Sequence, residues 1–252
     1  MGETAALRKM ESTPDSSARS MREMRLLRSQ YRTWLIAIVL LALLTGDLYE
    51  LLSGLDWKTF WRNASIAITL VGYAFYIWQM YPPDGTPPVK PEPISWTLFG
   101  ILTAAGWVVQ VAQGAGAGSW CLGITAGACF IIAGWSYLKF SWTFDRFHII
   151  VVFLALALFA FSAATSQEPT MATASAILAT LADFVSYGPT FRKAWYHPRE
   201  DSITNFVFNS VKCVPALLAI ESYSIATTVY LIMLWVVNGG FAVFLAIRRR
   251  RR

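Results

Sequence analysis

Eight apolar stretches, each near the roughly 20 residues a helix needs to cross the hydrocarbon core of a bilayer, constrain this chain more than anything else in it. They run from Trp34 to Leu52, then about Asn63 to Tyr81, Ile94 to Gln113, Ser119 to Leu138, Phe147 to Thr165, Met171 to Phe191, Ile203 to Ile220 and Ser224 to Ile247. Composition agrees: charged residues make up 14% of the chain, where a soluble domain carries roughly 25%. The expected fold is therefore an all-α integral membrane protein with eight transmembrane helices.

Charge placement orients the spans, because cytoplasmic segments are rich in Lys and Arg. With both termini inside, every one of the 21 Lys and Arg residues except Lys58, Arg62 and Lys212 falls in an inner segment. An odd number of spans would export one of the two basic ends. The net charge of +6 thus reads as topology in a cell (inner or plasma) membrane, and no nucleic-acid partner is expected. Residues 1–32 read as a basic cytoplasmic tail, and 248–252 as a second. The first span has a basic flank but no small-x-small site after it, so an uncleaved anchor over 33–52 is expected.

The stretch Asp183–Phe206 shows a second regularity. It leads from an apolar segment through Tyr187-Gly-Pro-Thr-Phe-Arg-Lys193 and a loop with Pro198 into another apolar segment. About 110 residues earlier the chain attempts the same construction. Val71–Met80 falls on Phe184–Lys193, a proline-rich loop follows in each, and Ile94–Trp96 falls on Ile203–Asn205. Two three-helix units, 62–139 and 171–247, joined by a linker helix at 147–165, form a parallel repeat, and the helix at 33–52 is an addition.

In this arrangement, and in Tyr187–Lys193 with threonine where the namesake glutamine stands, the chain resembles the PQ-loop or SWEET-like superfamily. The resemblance covers roughly Asn63 to Ile247. It implies two triple-helix bundles joined by a linker helix, transport of a small polar solute of the sugar or amino-acid class, and alternating access by rocking of the bundles. The sequence departs from the pattern at Tyr76, in the place of Pro189, and at Cys129, near the place of Asn238.

Polar residues inside spans are the candidate site. Asp183 and Lys212 each lie roughly 12 to 14 Å from the inner end of their spans, counting 1.5 Å per residue. Adjacent helices could join them as a pair, either as a solute or proton-coupling site or as a structural lock. Asn209 and Asn238 form a layer nearer the inner face, placed to bind a solute or to bond helix to helix. Trp107 could stack on a sugar ring or simply pack. Gly188 and Pro189 are the expected hinge, with Pro215 as a second break, since proline removes a backbone hydrogen bond and glycine bends readily.

Other features suggest no chemistry. Asp47 and Glu50 read as interfacial, Cys121, Cys129 and Cys213 as small buried side chains, and His148 and His197 have no metal spacing. Gly114–Gly118 has neither the strand nor the Lys-Ser/Thr of a phosphate loop. No catalytic motif, cofactor or metal is expected. A retinal receptor fits poorly, because Lys212 sits on the second-last span with Pro215 just behind it. The partners implied are the lipid bilayer and a small polar solute, with a homo-oligomer left open. The alternative function is a non-transporting membrane sensor or assembly partner whose basic tails bind anionic lipid or protein.

Overall fold

A computed structural model describes residues 56–82, 87–165 and 171–251. The tail at 1–32, the expected first span with Asp47 and Glu50, and the turn at 166–170 lie outside them. The described chain is all helical, with no strand. Its helices are α1 (Trp57–Gln79), α2 (Pro93–Ala112), α3 (Trp120–Lys139), α4 (Arg146–Thr165), α5 (Ala172–Ser186), α6 (Gly188–Tyr196), α7 (Ile203–Val211), α8 (Cys213–Leu218) and α9 (Ile225–Arg250), with short 3-10 turns at Gly116–Ser119 and Pro198–Glu200.

Local chemistry sets the helix starts. Asp56 accepts from the Lys58 N–H to begin α1, and Glu92 accepts from the Ser95 N–H at 2.6 Å just ahead of Pro93 in α2. Ser202 caps α7, and Ser224 with Thr227 forms a capping box on α9. Each cap satisfies an N–H that the first helical turn leaves without a partner.

Four described helices are long and apolar enough to cross a membrane: α2, the run Gly116–Lys139 that contains α3, α4 and α9. The α4 helix carries the argument furthest. Its faces are apolar all round, yet Ile150, Phe153 and Phe161 are more than 60% exposed, which only an apolar solvent tolerates. Together with the composition, these helices mark a membrane protein.

Two expected spans are interrupted in their hydrogen-bond ladders, although the backbone stays helical through each interruption. The stretch from Met171 divides into α5 and α6 at Tyr187, and the stretch from Ile203 divides into α7 and α8 at Lys212. Proline explains both positions: Pro189 cannot donate to the Val185 carbonyl, nor Pro215 to that of Val211. At the first break a side chain from another helix enters the ladder. The Ser95 hydroxyl donates to the Ser186 carbonyl at 2.8 Å and accepts from the Thr190 N–H at 3.2 Å, standing between two groups that an unbroken helix would pair directly. Gly188 lies where a Cβ would come within 3.3 Å of Val151 on α4, so its lack of a side chain serves close packing as well as bending.

The packing order is not the chain order. Both α1 and α2 pack on α3, both α5 and α7 pack on α9, and α4 packs on α5. Between these groups α1 lies on α7 and α8, while α2 lies on α5. Gly72 permits the α1–α7 approach, since a Cβ there would sit 2.7 Å from the Phe208 Cβ. Tyr76, Met80, Ile132, Phe241 and Leu245 form a core towards one end, and Leu122, Cys213, Ile220 and Leu231 a core towards the other.

Candidate functional site

Between the two cores lies a cavity lined from α1, α2, α3, α5, α7 and α9, but not from α4. It holds about 370 Å³ of empty space with its open mouth included, and its free centre has room for roughly one or two waters. Anything larger requires the helices to part.

Asp183, Lys212, Asn209 and Asn238 all line this cavity. The expected Asp183–Lys212 ion pair is not formed: neither residue has an ion-pair partner within 4.0 Å among the described residues. The reason is the packing order, in which the neighbouring segments α5 and α7 both lie on α9 instead of on each other. Lys212, 1% exposed at the break, donates to Thr125 Oγ1 at 2.5 Å and places its ammonium 5.0 Å from the centre of the Tyr73 ring. Asp183, also 1% exposed, receives a long 3.5 Å contact from Ser186 at its Oδ1, and its Oδ2 has no hydrogen-bond partner among the described residues. The Tyr230 hydroxyl lies beside this carboxylate, placed to donate to it, and shares a 2.9 Å hydrogen bond with Thr103 in which either oxygen can be the donor.

The asparagines divide differently from expectation. Asn209 is fully engaged, accepting from the Tyr73 hydroxyl at 2.9 Å and donating to the carbonyl and side-chain oxygens of Asn205. Asn238 donates to the Tyr187 hydroxyl at 3.0 Å and to the Leu234 carbonyl. Both tie helices together. Asn205, which entered the sequence analysis only through the repeat, lines the cavity fully buried, and its Nδ2 has no hydrogen-bond partner among the described residues. The signal that could have found it is its i, i+4 spacing to Asn209, which puts the two on one face.

Trp107 is a correction. It packs against Trp120 and Gly123 beside the second core and does not line the cavity, because its helix turns that face towards α3. Pro189 and Gly188 sit at the first break, and Pro215 follows the second by three residues.

Ties between the two helix groups close both ends of the cavity. At the end where α1 starts, Lys58 Nζ donates to the Leu218 and Ile220 carbonyls, and the Glu221 carboxylate accepts from the Ala117 N–H at 3.0 Å. Gly116 there has φ +56°, and a Cβ on it would meet the Glu221 carboxylate at 2.1 Å. At the opposite, basic end Lys90 pairs with Glu200 at 2.8 Å, and Lys193 bonds the Lys90 carbonyl and Asp201. Burial pushes the Asp201 carboxyl above its ordinary range, against the pull of Lys193 and Arg249. Close by, Asp145 holds Arg192 at 2.6 Å and His148 at 2.8 Å. Desolvation works against it, but hydrogen bonds from Arg192 and His148 bring the Asp145 carboxyl down to about 2.

Among the described residues no group of three or more His, Cys, Asp or Glu side chains is placed to hold a metal. No protein-family model, curated protein or solved structure matches this chain.

Proposed function

We propose that this chain is a membrane transporter that carries a small polar solute through the cavity by alternating access. In this reading the membrane spans number eight, both termini are cytoplasmic, and the chain is a PQ-loop or SWEET-like protein built from two triple-helix bundles. The linker is α4, and the helix expected at 33–52 is additional.

The observation that carries the reading is a polar cavity lined by α1, α2, α3, α5, α7 and α9, with a carboxylate oxygen and an amide nitrogen that have no hydrogen-bond partner among the described residues. Buried groups of that kind are expensive in a membrane interior and by default mark a solute path. The packing order supports the repeat: in each proposed bundle the first and second helices lie on the third, and the first helix of one meets the second of the other.

Alternating access then has identifiable parts. Opening one side breaks the Lys58 and Glu221 ties, and opening the other breaks those of Lys90, Lys193 and Glu200. The breaks at Tyr187 and Lys212 border the cavity, so bending there changes its walls. The test is uptake into proteoliposomes across a panel of sugars and amino acids. Accumulation of at least one solute above protein-free liposomes is expected, and the absence of any movement would remove the proposal.

A further inference from the structure

We infer that the solute recognised in this cavity is a zwitterion, a small molecule carrying both an ammonium and a carboxylate, and not a neutral sugar or a simple ion. The inference rests on the transport reading above and narrows its substrate class.

The argument begins with charge. Asp183 and Lys212 line one cavity, each is 1% exposed, and neither has a partner of opposite charge among the described residues. An unpaired charge away from water is costly, and removing one member of an ion pair leaves the same cost on the other. Here the protein buries an acidic and a basic group in one cavity and keeps them apart, α5 and α7 both lying on α9. A neutral sugar entering the cavity would leave both uncompensated. A simple cation or anion would answer one and leave the other.

Hydrogen-bonding capacity points the same way. Asp183 presents an acceptor, Oδ2, without a donor. Lys212 has three N–H donors and uses one on Thr125. Asn205 adds a free N–H donor from the same helical segment, seven residues or about two turns earlier and so on the same face. The cavity therefore has an acceptor wall at Asp183 and a donor wall along α7. A solute whose ammonium meets Asp183 and whose carboxylate meets Lys212 and Asn205 satisfies both walls with charge-assisted bonds. Trp96, Phe99 and Leu234 supply the apolar remainder of the lining, and the narrowness of the space favours a small side chain on the solute.

The test is ligand binding to the full chain in lipid nanodiscs, read as the shift in unfolding midpoint against concentration. The probes are alanine, its single-charge relatives methylamine and acetate, and glucose. Alanine is expected to stabilise the wild type, with each of the other three at least 10-fold weaker. Lys212→Met and Asp183→Asn should each weaken alanine at least 10-fold, while Lys212→Arg, which keeps the charge, should recover part of the loss. The wild-type series stands without the variants should one of them fail to fold. Glucose binding with no alanine binding would overturn the zwitterion while leaving transport intact. Equal binding of methylamine or acetate, or undiminished alanine binding by a folded Asp183→Asn, would also overturn it. If no probe binds, the zwitterion falls, and the transport reading falls with it only if the uptake panel is also silent.

Discussion

Asp183 and Lys212 face one cavity without forming an ion pair, because the segments that carry them both pack on α9 and not on each other. Removal of either charge should therefore behave differently from the breaking of a structural pair. In a locked pair, losing one partner costs about 3–5 kcal/mol. Lys212→Met instead leaves Thr125 with its own bond to the Cys121 carbonyl and removes an isolated buried ammonium. Its unfolding free energy should change by less than about 1 kcal/mol or rise. Thermal unfolding in detergent measures this, and a loss of several kcal/mol would restore the structural lock.

Ser95 stands in the break between α5 and α6, so Ser95→Ala should be costly for a single hydroxyl. The Ser186 carbonyl and Thr190 N–H would both lose a buried partner, at about 1–3 kcal/mol. If the break simply closed by a direct bond between those two groups, stability would be unchanged. A midpoint indistinguishable from the wild type would indicate that outcome.

Gly116→Ala should open the end of the cavity held by Glu221. The added Cβ would occupy the position of the carboxylate, and φ +56° strains any L side chain there. With Cys121 and Cys213 changed to Ser, Cys129 in the cavity wall reports the opening. Its reaction with a membrane-impermeant maleimide should speed up several-fold over the same background with Gly116 intact. An unchanged rate would mean that the Glu221 tie does not gate the cavity.

Asp145 gives a pH dependence with a definite sign. Its folded carboxyl lies at about 2, below the roughly 3.9 of an unfolded aspartate. A lowered folded value contributes stability that is present above the unfolded value and lost as pH falls through about 2. The stability that the Asp145 carboxylate contributes over Asp145→Asn should shrink as pH falls from about 4 towards 2. The gap should also be small, because exposed pairs are screened. A gap that disappears by pH 5 would contradict the assignment.

The sequence located the helices well and their neighbours poorly. Hydropathy marked α2, α3, α4 and α9 within one to three residues at each end, because lipid demands long apolar runs. Pro189 and Pro215 were legible as helix interruptions, and they follow the breaks at Tyr187 and Lys212 by two and three residues. The position of Lys212 at one of those breaks was not legible, since a single proline does not say which residue will leave the helix. The missing ion pair had a similar cause: chain adjacency suggested that α5 meets α7, whereas which helix lies between them is decided by packing. Asn205 and Trp107 exchanged roles for the same reason, since helical phase relative to a cavity depends on neighbours absent from the local pattern.

The central claim is that a solute passes through the cavity bordered by Asp183, Asn205 and Cys129, and covalent blockade tests it most directly. Uptake of the transported solute would be measured in proteoliposomes holding the Cys121→Ser, Cys213→Ser protein, before and after full modification of Cys129 by a maleimide. The account predicts that uptake is abolished, and that a further Cys129→Ser change makes it immune to the reagent. Uptake that continues at its original rate with Cys129 fully modified would contradict it.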